Sequence, residues 1–230
     1  MPTTSRTENP AYFRDSGKPG RNCPRCPRLV AFRDQWRERE PGWFNAPVAS
    51  FGPLTAQLLI VGLAPGLQGA NRTGRPFTGD FAGDLLYGTL IEFGFARGTF
   101  DARVDDTVEL VDARVTNAVR CVPPENKPTP AEIRTCGDYL QETIAEMQNL
   151  RAIVALGRIA HDAAVTALGA RKSAVKFAHG LYASVGRVTL FDSYHCSRYN
   201  TNTGVLTPEM FRAVFANVRG YLDDAKRGAA

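Results

Sequence analysis

Gln57-Leu58-Leu59-Ile60-Val61-Gly62-Leu63-Ala64-Pro65 is a short apolar run closed by a glycine and a proline. That length and composition read as a buried strand. Ala152-Ile153-Val154-Ala155-Leu156, closed by Gly157, repeats the pattern, and Val111 to Val119 reads as another strand. Residues 181–192 predict a further strand or hairpin. Helical patterns fill the intervals. One runs from Pro27 to Glu40, and a second spans 81–95 through Phe81, Leu85, Leu86, Leu90 and Phe93. A third starts at Thr129-Pro130 and runs to about Asn149, a fourth follows Gly157 through Leu168, and the last extends from Thr207-Pro208 to about residue 224. Strands alternating with helices predict an α/β fold, a three-layer α/β/α sandwich around a mainly parallel sheet. Ligands of such sheets bind beyond the carboxyl ends of the strands, where the unusual loops of this chain lie.

Residues 1–22 are polar, with Gly17, Pro19 and Gly20, and read as a loosely ordered arm before a single domain over 23–230. The chain has 230 residues, 43% of them hydrophobic, enough to bury one core. No apolar run of about 20 residues is present to span a bilayer, and Met1-Pro2-Thr3-Thr4-Ser5-Arg6 leads into no signal-peptide core. A cytoplasmic monomer with no membrane contact is expected. The net charge is +5, and of 28 basic residues only Lys18, Lys127, Lys172, Lys176 and Lys226 are lysine. Arginine-rich positive charge is compatible with nucleic acid, and equally with a genome that writes arginine wherever a surface cation is tolerated.

Cys23 and Cys26 form a C-P-R-C pair, with Cys121 and Cys136 far downstream. Zinc fingers and ribbons keep both halves of the site close in sequence, so this spread argues against them. The set suits one four-thiolate site that ties an N-terminal segment onto a larger fold and holds an iron–sulfur cluster or a lone zinc ion.

The loop from Gly62 to Asp80 is long and glycine-rich and carries no Walker or dinucleotide fingerprint. Backbone amides there can approach a flat ligand closely, and Phe77 can stack on it or lie in the core. Asp80, at the start of a helix, is a candidate cap or a base that orients water. Asn117 ends a strand and offers a donor beside an acceptor, the complement of an amide-like base edge such as that of uracil, unless it ties down its own turn. His195 lies just past an apolar strand, where a donor can meet charge developing on a leaving group. Ser197, Arg198, Tyr199 and Asn200 make a polar, aromatic tip suited to phosphates and bases. His161 and His179 are weaker candidates, the former reading as part of a helix face.

Taken together, these motifs resemble the uracil-DNA glycosylase superfamily, and most of all its family 5, the type-B enzymes. The resemblance covers residues 23–222 and rests on the cysteine pattern, G-L-A-P-G with N-R-T-G-R-P-F-T-G-D, T-N-A-V-R-C-x-P-P-x-N-K-P and H-x-S-x-x-N-T-x-T-G-x-L-T. It implies a four-stranded parallel sheet between helices, a structural [4Fe–4S] cluster on Cys23, Cys26, Cys121 and Cys136, and hydrolysis of the bond between a deaminated base and deoxyribose in DNA. Catalytic roles fall on Asp80, Asn117 and His195. Ala64 stands where other families place a polar water-activating residue, and Asp80 takes over that task. Gly62, Ala64, Phe77 and Asn117 hold the flipped base. Pro65, Gly66 and the Ser197–Asn200 segment grip the strand. The family has proline after the histidine, whereas this chain has Cys196, which implies a looser loop and an extra thiol near DNA. Two rival classes fit parts of the pattern: a non-catalytic nucleic-acid-binding module with an iron–sulfur or zinc site, and a magnesium-dependent nuclease or phosphatase using Asp80 and Asp84.

Overall fold

The computed structural model describes residues 18–227. The expected arm lies outside the described residues up to residue 17. Helix α1 (Pro27–Arg39) starts on a proline whose missing amide costs nothing at a first turn. Strand β1 (Leu58–Gly62) leads into the long loop, which contains a single turn, α2 (Ala70–Thr73), and then α3 (Phe81–Glu92). A two-stranded ribbon follows, β2 (Ala96–Arg97) and β3 (Glu109–Leu110), before β4 (Ala113–Asn117). Then come α4 (Pro130–Glu146), β5 (Ala152–Leu156), α5 (Arg158–Ala167), β6 (Tyr182–Val185), β7 (Val188–Ser193), the short α6 (Arg198–Asn202) and α7 (Pro208–Arg227).

The main sheet has the order β4-β1-β5-β7-β6. The first four strands are parallel and fully buried, which is why β1 and β5 read as unbroken apolar runs rather than alternations, while β4 and β7 also bury polar side chains such as Arg114, Thr116, Thr189 and Asp192. Leu58, Ile60, Val115 and Val154 face α3 and α7 through Leu86, Leu90, Phe211 and Phe215. Leu59, Val61, Ile153 and Ala155 face α4 and α5 through Leu140, Ile144, Ala160 and Ala164. Each large side chain buried in these layers contributes about 1.5–3 kcal/mol relative to exposure.

The expected four-stranded sheet is corrected to five. The fifth strand, β6, pairs antiparallel with β7 through a turn at Gly186 (φ +59°), so it covers an edge the parallel strands would leave open. It lies within the hairpin expected at 181–192. Strand β4 starts later than expected because Asp112 is occupied outside it, accepting from the Gln57 backbone and side-chain amides, both at 2.8 Å. Helix α4 starts at Thr129-Pro130 as expected, and Thr129 caps it in a reciprocal capping box with Glu132. Among the described residues no helix is long and apolar enough to cross a membrane.

Candidate active site

Parallel strands end together, so the loops after β1, β4, β5 and β7 meet on one side of the sheet. They enclose a cavity of about 750 Å³ whose walls include Ala64, Pro65, Gly66, Phe77, Asp80, Asn117, His195, Ser197, Arg198 and Tyr199. Gly62 stands behind this wall. That volume is in the range of small-molecule sites and exceeds a single nucleobase.

Phe77 is buried, with a left-handed backbone (φ +51°) that costs a non-glycine residue about 1–3 kcal/mol. Its ring lies 6.0 Å from that of His195, 25° from parallel. Gly62 makes room for both Phe77 and Asn117: a Cβ there would fall 2.5 Å from the Phe77 ring and 2.4 Å from Asn117 Oδ1. Asn117 is 3% exposed, and its Oδ1 has no hydrogen-bond partner among the described residues. That oxygen does not tie down its own turn.

Asp80 occupies the N-cap position of α3, yet its side chain makes no capping hydrogen bond. The carboxylate turns instead toward the glycine loop, where a Cβ on Gly69 would come within 2.3 Å of Oδ2. Its Oδ1 is buried without a partner among the described residues. Burial raises the Asp80 pKa above the ordinary carboxylate range, and the nearby amides of Gly83 and Ala82 offset part of that rise. A desolvated carboxylate with a free oxygen is equipped to accept a proton from water.

His195 is half-buried, and the protein packed around it pushes its pKa down to about 4. At neutral pH it is therefore an uncharged imidazole with one N–H to donate. Its backbone is held from both sides. The Asn200 side-chain amide donates to the His195 carbonyl at 2.8 Å, and the Tyr194 amide donates to His179 Nδ1 at 3.1 Å. The Asn200 side chain, half-buried, thus braces the His195 loop. Ser197 caps α6, accepting from the Asn200 amide at 3.3 Å. Arg198 sits 5.4 Å over the Phe81 ring, and Tyr199, 74% exposed, projects at the cavity mouth.

The thiol of Cys196 is fully buried in the core and donates to the Ala82 carbonyl at 3.6 Å. The expected extra thiol near DNA is therefore corrected: burial removes it from any strand. His161 is likewise an interior group, with Nδ1 2.7 Å from Asp192 Oδ1 and Nε2 3.0 Å from the Val175 carbonyl.

Gln68, Asn126, Arg158 and Ile159 also line the cavity and were not singled out from sequence. Arg158 and Ile159 were within reach of the strand-end rule, since they follow Gly157 (φ +91°) directly after β5. Asn126 was not, because Glu125 and Asn126 both adopt left-handed conformations (φ +55° and +56°) without a glycine to announce them.

Cys23, Cys26, Cys121 and Cys136 line a second, smaller cavity with Leu29, Val119 and Tyr139. All four are free thiols. Burial pushes Cys121 up to about 12, helped by the charges of the other three. The Arg120 amide donates to Cys136 Sγ at 3.3 Å, and Tyr139 Oη lies 3.7 Å from Cys23 Sγ. Arg28, just after the C-P-R-C pair, forks onto Glu132 of α4 at 2.8 and 2.7 Å and so fastens α1 to that helix. Ala64 packs on the cysteine cluster, which places it directly behind the main cavity. Among the described residues no three His, Cys, Asp or Glu side chains are close enough to hold a single metal ion.

The family model described as "Uracil DNA glycosylase superfamily" matches residues 49–219. A type-5 uracil-DNA glycosylase of Thermus thermophilus is 46% identical over 204 residues, covering 86% of this chain and 92% of the relative. The type-5 enzyme of Pyrobaculum aerophilum is 41% identical over 197 residues, covering 84% and 86%. That of Mycobacterium bovis is 40% identical over 207 residues, covering 86% and 77%. The chain belongs to the uracil-DNA glycosylase superfamily, among its type-5 members.

Proposed function

We propose that this protein is a monofunctional DNA glycosylase that flips uracil out of DNA and hydrolyses its bond to deoxyribose, leaving an abasic site. The observation that carries the reading is the meeting of Phe77, Asn117, Asp80 and His195 around one cavity at the sheet's carboxyl edge. A base must leave the stack before its glycosidic bond can be reached, at a cost of a few kcal/mol that is lower for a mismatch such as U·G. Phe77 stacks on the flipped base. Asn117 Oδ1 accepts from the base N3–H while its amide donates to O4.

As the C1′–N1 bond breaks, its electron pair leaves with the base and the sugar becomes cationic. The neutral His195 donates a hydrogen bond to the base oxygen that gains charge, and one such preorganised donor is worth about 3–4 kcal/mol. Asp80 orients water toward C1′ and accepts its proton as the new C–O bond forms. Tyr199 and Arg198, at the cavity mouth, fill the vacated stack and grip the strand.

Hypoxanthine and xanthine present the same N–H beside a carbonyl, and the cavity exceeds a pyrimidine. With Ala64 leaving the wall apolar, the base range extends from uracil to these purines. The four cysteines fit a [4Fe–4S] cluster, because two of them from a C-P-R-C pair and two from distant segments converge on one pocket, and soft thiolates suit iron–sulfur ligation. When bound, the cluster supplies a structural tie. The enzyme acts in the cytoplasm as a monomer.

Incubation with uracil-containing duplex DNA in EDTA, followed by alkali and identification of the released base, tests the reading. Free uracil with alkali-labile strands supports it. Tight binding of the same DNA with no base released, from uracil or hypoxanthine, would favour a non-catalytic binding module. Activity abolished by EDTA would favour a metal-dependent nuclease.

A further inference from the structure

Phe77 holds a backbone conformation that its own residue type disfavours, so something nearby must impose it. Residue Arg75 is 7% exposed and forks onto Asp106, with Nη1 donating to Oδ1 at 2.9 Å and Nη2 to Oδ2 at 2.6 Å. Its Nε donates to Thr78 Oγ1 at 2.8 Å and Nη2 also to the Arg103 carbonyl at 2.6 Å. The guanidinium lies 5.3–5.7 Å from the rings of Phe51, Tyr87 and Phe100. Tyr87 Oη donates to the Pro76 carbonyl at 2.8 Å, and Thr73 Oγ1 donates to the Thr78 carbonyl at 3.0 Å. The residues on either side of Phe77 are therefore gripped, while Phe77 itself turns its ring toward the cavity. The anchor, Asp106, comes from the segment between β2 and β3 and is fixed there by the Asp101 and Val108 amides at 3.2 and 3.1 Å.

We propose that Arg75 is a positioning residue that acts through Phe77: locked to Asp106, it holds the strained Phe77 backbone so that the ring stands ready to stack on a flipped base. The inference rests on the glycosylase reading for its kinetic consequence, though not for its geometry. An aromatic-lined ionic lock suits this task because arginine presents several directed donors in one plane and lysine presents a single point charge. The short ribbon β2–β3 then has a purpose in the site it never touches: it carries the anchor.

Two readouts test this. In a double-mutant cycle, R75M should lower kcat about tenfold or more in the wild-type background and less than about twofold in F77A. Additive losses would overturn the proposal, since they would make Arg75 a general stabiliser. The chain has 3 histidines, so its imidazole signals are few. In NMR spectra of the full-length protein, R75M should move the His195 ring signals toward their positions in F77A and leave those of buried His161 unchanged. Unmoved His195 signals would overturn the proposal whether or not any base is released. Wild-type inactivity on uracil DNA would instead count against the glycosylase reading alone. If R75M fails to fold, R75K and D106N serve in its place, with R75K expected to restore little of the kcat.

Discussion

Gly62 and Asn117 are Cα partners across the ladder joining β1 and β4, and a Cβ on Gly62 would lie 2.4 Å from Asn117 Oδ1. The same atom would lie 2.5 Å from the Phe77 ring. One absent methyl thus makes room for both the edge-reading and the stacking side chain. Gly62→Ala should fold, because β1 is otherwise an ordinary buried strand, but it should lower kcat/KM for uracil by at least about 100-fold, or about 2.7 kcal/mol. Steady-state kinetics beside a thermal melt check this; near-wild-type kcat/KM would show that the pocket relaxes around the methyl.

Asp80 should trade stability for rate. Its folded pKa is raised by burial. As pH rises above the ordinary carboxylate value, the unfolded chain ionises first, and the folded state loses stability until its own raised pKa is passed. Asp80→Asn removes that penalty, so Tm at neutral pH should rise while base release slows by about 100-fold or more and DNA affinity holds. Equal losses of rate and binding would count against a role for Asp80 in orienting water. The wild-type rate should also fall on the acid side as Asp80 takes up a proton.

His195 has the opposite linkage. Its pKa drops from 6.5 to about 4 on folding. The unfolded chain binds the extra proton first, so this contribution to stability is present above pH 6.5 and is lost as pH falls toward 4. Tm measured from pH 7 to pH 4 should decline less steeply in His195→Asn than in wild type. The same variant keeps a neutral donor and should retain more activity than His195→Ala, which should lose about 100-fold.

The four-cysteine site should hold the wall behind Ala64 in place. Cys136→Ser should abolish visible absorbance from iron, lower Tm and weaken binding of uracil-containing DNA. Absorbance, iron content and a melt on the same preparation check it. Unchanged stability with iron lost would separate the two sites.

Cys196 should resist alkylation. It is fully buried, with its pKa raised chiefly by that burial. Mass spectrometry after iodoacetamide treatment should find it unmodified in the native protein and modified in guanidinium.

Sequence by itself determined the layers of this protein. The apolar runs at 58–62 and 152–156 are strands because only a sheet buried on both faces needs them unbroken, and Thr129-Pro130 marks the start of α4 because proline suits a first helical turn. It also identified Asp80, Asn117, His195 and the four cysteines as the groups to watch. Tertiary structure alone decided what those groups are. It paired β6 onto the open edge of β7, tied the Asn200 side chain to the His195 carbonyl and buried Cys196. It left the acceptor of Asn117 without a partner among the described residues and lowered the pKa of His195. It also brought Asp106 to Arg75 and so bent Phe77 into a conformation no local pattern predicts. The division has one physical reason. Burial periodicity and caps depend on neighbours a few residues away, whereas desolvation, ionic locks and backbone strain arise from groups that only the fold brings together.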